Sequence, residues 1–291
     1  PPGVRHSPEG HRRLGRDGHA MSGGVGRGPV LTWVIVSYGG VDDAVRLVDS
    51  LGAGSPVDIV LCANRPGDTD EATAAFAGDR RVRVLSFEDN PGYLPALQRA
   101  LPHVDTTRPV VLSNCDLLAD PGVVDDLIEQ VEAFPDAGWL APSIIGSLGQ
   151  DQNPNLVHPP SARWLRALAA IHRFAPLTDK HLLRKEGHSS RTVGGVDAGS
   201  TVFAGHGSCI VLTPAFFAAG GSCDYPFALF GEELWFGREC ARLGLTVRYV
   251  PSAVLRHAEH AATGRRRRGH VARVKYEGLR WWAREARAQR W

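Results

Sequence analysis

From Leu31 to Ser37 the chain reads LTWVIVS, an unbroken apolar run rich in β-branched residues that stops at Tyr38-Gly39-Gly40. A run of this length bounded by a turn signal predicts a strand buried on both faces, because a half-exposed strand would alternate apolar and polar positions. Val41–Leu51 follows at helical spacing, with Asp42 and Asp43 in the first turn, where acidic groups oppose the helix dipole. The same reading puts strands over Val57–Ala63, Val82–Phe87 and Pro109–Ser113. It puts helices over Asp68–Ala77, Leu94–Leu101 and Pro121–Phe134, the last with Pro at its start.

Strand and helix thus alternate over the first half, which predicts an α/β fold with a mainly parallel central sheet flanked by helices. Ligands of such sheets bind at the carboxyl ends of the strands, so the loops after Ser37, Ala63, Phe87 and Ser113 are the places to look for chemistry. Residues 146–195 break the pattern. They are rich in Gly, Asn, Pro and Ser, with Asn153-Pro154 and His158-Pro159 steps and one expected helix over Arg163–Phe174. Regularity returns with strand-like runs at Thr201 and Ser208–Thr213, helices from Pro214 and over Glu232–Leu243, and a strand over Thr246–Val250. The expected organisation is a disordered leader over 1–29 and one domain over 30–262. Within that domain, 30–145 forms a first half, 146–195 a variable insertion and 196–262 a second half. A basic helix or tail over 263–291 completes it. Met21, the only Met, is the expected natural start, and no signal-peptide apolar core precedes it.

Charge sharpens this division. Of 33 Lys and Arg and 31 Asp and Glu, the first 30 residues hold five and two and residues 263–291 hold ten and two, which leaves the body at a net −9. An acidic body argues against a nucleic-acid partner, since duplex binding needs a broad basic footprint. The basic ends suit phosphate or an anionic membrane surface. No run of about 18 apolar residues suggests a spanning helix. Cys62, Cys115, Cys209, Cys223 and Cys240 show no CxxC spacing and are odd in number, which predicts neither a disulfide framework nor a zinc site and fits a reducing, cytoplasmic setting.

Three clusters fall on predicted loops. Ser113-Asn114-Cys115-Asp116 ends the fourth strand, where a carboxylate can hold a hard cation beside a diphosphate; Asp116 could equally cap the turn before Asp120-Pro121. Asn90-Pro91-Gly92-Tyr93 is a turn signal and also a place where backbone can approach a ligand closely. Phe230-Gly231-Glu232-Glu233 opens a helix; the two carboxylates can complement its dipole, or one can act as a general base. His257, after Pro251, and His206, in Gly205-His206-Gly207, are each either structural or available to a ligand.

In this order the motifs resemble the family-two inverting glycosyltransferases of the GT-A fold, in the branch of rhamnosyltransferase-like enzymes of surface-polysaccharide synthesis. Val34–Tyr38 resembles the opening strand and nucleotide-contacting turn, and Asp58–Asn64 the second strand. Asn90–Tyr93 resembles the Asn-x-Gly-aromatic motif, and Leu112–Asp116 the strand ending in the metal motif. Gly205–Thr213 resembles the acceptor-side strand. Phe230–Glu233 resembles the acidic pair with the catalytic base, and Tyr249–His257 the segment ending in a metal-binding His. The resemblance spans residues 31–262.

It implies a Rossmann-like nucleotide-binding half joined to an acceptor-binding half. The donor would be a nucleoside-diphosphate sugar contacted by Ser37, Tyr38, Asn64, Asn90, Gly92, Tyr93, Asn114 and Asp116. Asp116 and His257 would hold Mg2+ or Mn2+, Glu233 would be the base, and Glu232, His206 and Trp235 would face a glycan, lipid-linked or small-molecule acceptor. The chain departs from the pattern at Cys115, inside the metal motif, at Glu232-Glu233 in place of Glu-Asp, and at Trp235, where a third acid is usual. A sugar-nucleotide pyrophosphorylase would carry Arg and Lys near Gly39-Gly40, and a non-catalytic nucleotide-sugar binder would not need Asp116, Glu233 and His257 together. Trp164, Leu165, Leu168 and Ile171 near one helical face, with Arg163, Arg166 and Arg173 elsewhere, suggest contact with an anionic bilayer. Arg265–Arg268, Trp281, Trp282 and Trp291 add to that suggestion, unless the aromatics pack on the body.

Overall fold

The computed structural model describes residues 30–173, 196–258 and 268–288. Its centre is one twisted sheet. β1 (Leu31–Ser37) runs parallel to β2 (Val57–Ala63), which pairs in parallel with β3 (Val82–Ser86). On its other side β1 runs parallel to β4 (Val110–Asn114). The sheet then changes direction. β4 is antiparallel to β8 (Cys209–Leu212), β8 to β6 (Ala137–Ile145), and β6 is parallel to β9 (Thr246–His257). Two short strands share the far edge of β9: β7 (Thr201–Val202) pairs near its start and β5 (Leu117–Ala119) at its end.

Alternation along β1 divides the core. Leu31, Trp33 and Ile35 face α1 (Val41–Ser50) and α4 (Val123–Ala133), which bury Ala44, Leu47, Val124 and Leu127. Val34 faces the opposite layer, where α3 (Tyr93–Ala100), α6 (Pro214–Ala218) and α7 (Glu232–Arg242) bury Leu97, Phe216 and Phe236 around Trp139. The buried Trp33 indole N–H is satisfied by Ser113 Oγ at 2.8 Å. α2 (Asp68–Ala75) flanks β2 and β3. α5 (Ala162–His172) packs against α8 (Arg268–Ala288).

Several expectations change. β6, central and almost wholly buried, has no counterpart in the sequence reading. β9 does not stop at Val250. It passes through Pro251, where the register with β6 shifts between Pro142 and Ser143, so that His257 ends a strand instead of lying in a loop. A bulge tolerates Pro because the ladder bond is already lost there. Pro121 precedes α4, whose first helical residue is Val123. Gly122 with φ 89° makes the turn.

Trp281 and Trp282 do not reach outward. They pack with Tyr225 and Trp235, and Trp282 is 1% exposed. Met21, Arg265–Arg267 and Trp291 lie outside the described residues. Among the described residues no helix is long and apolar enough to cross a membrane, and all five cysteines are free thiols.

Candidate active site

The carboxyl ends of β1, β2 and β4 meet at a pair of glycines. Gly39 N–H donates to Asp68 Oδ2 at 2.6 Å, and Arg65 Nε donates to Asp68 Oδ1 at 2.8 Å. Asp68, at the head of α2, is fully buried, so this charge is matched by a backbone N–H and a guanidinium. Arg65 lies on the pro-Cβ side of Gly39, whose φ of 73° is itself a left-handed value. Gly40 N–H donates to Ser37 Oγ at 3.2 Å, which commits the buried Ser37 hydroxyl to the turn, while Tyr38 keeps some exposed surface. A side chain at Gly40 would come within 2.8 Å of Cys115 Sγ. Burial, reinforced by the Asp116 charge, pushes the Cys115 thiol up to about 12, which keeps it a neutral filler under the loop.

Asn64, at the end of β2, reaches across to the Asn90–Tyr93 turn and donates from Nδ2 to Gly92 O at 3.0 Å. Tyr93 N–H donates to Ala228 O at 2.8 Å, and any Cβ at Gly92 (φ 104°) would collide with the Ala228 backbone. The turn is thereby stitched to the segment that leads into Glu232. Asn90 has a φ of 46° and is exposed. Two buried polar atoms here have no hydrogen-bond partner among the described residues, Asn64 Oδ1 and Tyr93 Oη. Burial raises the Tyr93 phenol well above its ordinary value, and the charges of Glu232, Glu233 and Asp116 add to this. Tyr93 therefore lies near both the metal-motif carboxylate and the acidic pair.

β4 runs out through Asn114, whose N–H donates to Ser208 O at 2.9 Å. Asp116 then precedes β5, which pairs with the end of β9 in a register that sets Leu117 opposite His257. Asp116 Oδ1 lies 3.4 Å from His257 Nε2, and Ala258 N–H donates to Asp116 O at 3.0 Å. His257 Nδ1 lies 3.2 Å from Gln152 Oε1. The neighbours of Gln152 hold it in place. Asp151 accepts from Ser143 Oγ, Ile144 N, Asn153 N and Tyr249 Oη, and Asn153 Oδ1 accepts from His206 N at 2.6 Å. The His206 ring is 5.9 Å from the His257 ring, which puts it at this end of the site. Among the described residues no group of three or more His, Cys, Asp or Glu could hold a metal.

Gly231 (φ 102°) opens α7 in a left-handed conformation, and a side chain there would strike Tyr225 Oη and Trp282 Nε1. Tyr225 Oη donates to Phe230 O at 2.7 Å and accepts from Trp282 Nε1 at 3.2 Å, so α8 braces the loop that presents Glu232 and Glu233. Both carboxylates crowd Gly207: a Cβ there would be 2.6 Å from Glu232 Oε1 and 3.0 Å from Glu233 Oε1. Glu232 retains some exposed surface, yet desolvation of its carboxyl is the larger cause of a pKa raised to about 8. The charge of Glu233 adds to it, and Lys275 opposes it. Trp235 is buried. Its indole donates to Ser222 O at 2.7 Å and stacks under Arg238, so its aromatic face is spent on packing α7 against α8.

The structure thus brings Asp116, His257, Tyr93, Glu232 and Glu233 into one site, with Asn64 and Gly92 forming its edge. It adds Gln152, Gly207, Arg65, Asp68 and Lys275, which the sequence reading did not select. Of these, Gly207 and Asp68 had a visible signal: a glycine inside the acceptor-side motif and an acid at a helix start.

No family model matches the chain. Over 265 residues it is 28% identical to the N-acetylglucosaminyl-diphospho-decaprenol L-rhamnosyltransferase of Mycobacterium tuberculosis, in strains CDC 1551 / Oshkosh and ATCC 25618 / H37Rv. The match covers 84% of this chain and 80% of that protein. Among solved structures, GalNAc-T7 with UDP, GalNAc and Mn2+ superposes with a TM-score of 0.55 at 14% identity, covering 79% of this chain and 43% of that one. TarS 1-349 of S. aureus superposes with a TM-score of 0.50 at 10% identity, covering 78% and 60%. The chain spans less than two thirds of either structure, and the likeness to them is one of fold.

Proposed function

We propose that this chain, a glycosyltransferase of the GT-A fold, moves a rhamnose-type sugar from a nucleoside diphosphate to a hydroxyl of N-acetylglucosamine carried on a polyprenyl diphosphate, with inversion at the anomeric carbon. The sugar and acceptor are those named for the mycobacterial relatives. The observation that carries the reading is the pairing of Asp116 with His257 at 3.4 Å and of Glu232 with Glu233 around Gly207, both pairs near the buried Tyr93 hydroxyl. A donor diphosphate held at the first and an acceptor hydroxyl at the second would meet at the anomeric carbon.

Glu233 is the base. As the acceptor oxygen forms its bond to the anomeric carbon, its proton passes to the Glu233 carboxylate, and the bond from that carbon to the diphosphate breaks on the opposite face. Glu232, holding its own proton, can donate to an acceptor oxygen while adding no second charge beside the base. Tyr93 Oη and Asn64 Oδ1, buried without protein partners among the described residues, offer a donor and an acceptor to the nucleotide sugar.

Asp116 and His257 fit a divalent ion. The Gln152 contact turns Nε2 toward Asp116 Oδ1 at 3.4 Å, and a neutral imidazole carrying its proton on Nδ1 would offer Nε2 to the ion that Asp116 holds. Two protein ligands with substrate phosphates and water are enough for Mg2+ or Mn2+, and GalNAc-T7 was crystallised with Mn2+. The ion would neutralise charge on the departing diphosphate.

A polyprenyl-linked acceptor implies work at a bilayer, on the cytoplasmic face where nucleotide sugars are found. Arg166 of α5 and Arg280, Arg284 and Arg287 of α8 line a cavity of about 290 Å³ around Ala283, a cationic surface that suits anionic headgroups. This contact predicts co-sedimentation with phosphatidylglycerol liposomes that fades with salt; absence of binding at low salt would remove it.

The reading as a whole is tested by a thermal-shift screen of nucleoside diphosphates and their sugars with and without Mn2+. A ligand at 100 times its Kd adds about 2.7 kcal/mol of stability. A metal-dependent shift with one diphosphate supports the donor site and names the base. Transfer of label from the matching sugar to the lipid-linked acceptor then tests the reaction. No transfer with any rhamnose-type donor would overturn the proposal.

A further inference from the structure

Beside Glu233 a cleft of about 180 Å³ opens between α5 and α8. Trp164 and Leu168 form one wall, Leu279 and Trp282 the other, and Lys275 lies with Phe230 near the acidic pair. Both helices come from the parts of the chain that carry no motif, the variable insertion and the basic tail.

The walls are mostly apolar, and one residue on them is out of place for a monomer's surface. Trp164 is 49% exposed although its neighbours Leu165 and Ala169 are buried in the packing of α5. Its backbone is anchored in the first turn, where the main-chain N–H of Trp164 donates to the Ser161 capping hydroxyl. An aromatic face at the lip of a cleft can stack on the C–H face of a sugar or cover an isoprene unit, and with two side-chain torsions it loses little entropy in doing so. Lys275 contributes an ammonium whose field already reaches Glu232. A carboxylate to take a hydroxyl proton, a cation a few residues away and an apolar trough leading off match one kind of molecule, a sugar joined through phosphate to a hydrocarbon chain.

We infer that the α5–α8 cleft is the acceptor subsite. The reacting sugar lies against Glu233, its phosphate linkage beside Lys275, and the first isoprene units along Trp164, Leu168 and Leu279. This deepens the acceptor reading above and rests on Glu233 being the base. It assigns acceptor selection to the two segments outside the motifs, and it gives α8 a role beyond bracing the Tyr225–Gly231 loop.

The test is equilibrium binding, which needs no turnover. The probe is the proposed acceptor sugar on a farnesyl diphosphate, with the methyl glycoside of the same sugar for comparison. The wild-type chain binds the farnesyl probe at least tenfold more tightly than the glycoside. Trp164→Ala and Lys275→Met each lose tenfold or more of farnesyl-probe affinity, while a nucleoside diphosphate with Mn2+ still raises their melting temperature. Equal affinity of the wild type for the two probes, or unchanged affinity in both variants, overturns the subsite. A Glu233→Gln chain serves as the separate arm. If it binds the farnesyl probe normally and also turns over normally, the base assignment falls while the cleft stands.

Discussion

Gln152 Oε1 lies 3.2 Å from His257 Nδ1, on the side of the ring away from Asp116. The contact orients the imidazole so that Nε2 is the ring nitrogen turned toward the metal-motif carboxylate. Gln152 lies in an irregular stretch clamped by the four hydrogen bonds to Asp151, so a segment with no motif sets the orientation of a residue in one that has a motif.

Gln152→Leu should therefore weaken metal activation without removing either ligand. Loss of a partner that orients a ligating His costs about 10–100-fold in metal affinity. The readout is the Mn2+ concentration for half-maximal turnover, with His257→Ala as the more severe comparison. A titration curve for Gln152→Leu that overlays the wild type would show that the contact does not tune a metal ligand.

Removing the base gives a second outcome. Glu233→Gln keeps the shape of the α7 head and takes away the proton acceptor, so turnover should fall about 10²–10⁴-fold. Nucleoside diphosphate affinity, measured by calorimetry, should stay close to wild type because Glu233 is not among the residues proposed to contact the donor. Turnover within twofold of wild type would move the base to another residue.

Glu232 makes stability depend on pH in a stated direction. In the folded protein its carboxyl holds a proton up to about pH 8, against an ordinary value of 4.5 in the unfolded chain. Between those limits the unfolded chain ionises and the folded one does not. Stability from this group is thus full below about 4.5, falls as pH rises to about 8, and is level beyond. Glu232→Gln abolishes the titration, so its melting temperature should gain on the wild type from pH 5 to pH 8. Each 1 kcal/mol would appear as about 2–4 °C. Parallel melting curves across that range would place the raised pKa elsewhere.

What the sequence disclosed follows the strength of local signals. β1, β2 and β4 are largely apolar runs between turn residues, with only Asp58 of β2 exposed, and the loops at their ends hold Asp116, Asn64 and the Gly39 turn. β6 escaped because Gly138 and Pro142 interrupt AGWLAPSII, and both belong there for tertiary reasons. A Cβ at Gly138 would be 2.9 Å from Cys240 Sγ, and Pro142 sits at the register shift with β9. The true length of β9 was hidden by Pro251 in the same way. Gln152 carried no signal, since nothing in Asp151-Gln152-Asn153 tells which polar residue will meet a histidine. Trp235 was readable only as an aromatic near the acidic pair. Its burial depends on Trp281 and Trp282 arriving from α8.

That arrival can be measured. Trp282 is almost wholly buried, and its indole N–H bonds to the Tyr225 hydroxyl that in turn holds Phe230 O. Trp282→Ala should cost about 3–5 kcal/mol of unfolding free energy. It should also lower turnover in whatever fraction remains folded, because the Gly231 turn loses its brace. Trp282→Phe, which keeps most of the packing but not the N–H, separates the two effects: it should recover most of the stability and less of the activity. Equal recovery of both would mean that the hydrogen bond does not position the acidic pair.

Gly207 offers the sharpest separation of fold from function. Its φ is not in the left-handed region, so alanine meets no backbone strain, and the nearest atoms it would crowd belong to the side chains of Glu232 (Oε1 and Cγ) and Glu233 (Oε1). Flexible carboxylates can swing aside cheaply, which predicts a melting temperature near wild type for Gly207→Ala. The swing moves the base, however, and a displacement of about 1 Å in a reacting geometry can cost on the order of 100-fold in rate. Steady-state kinetics should show the loss in kcat more than in donor KM. If turnover instead survives at the wild-type level, the carboxylates must reach the acceptor from more than one position, and the close approach to Gly207 is a packing contact without catalytic consequence.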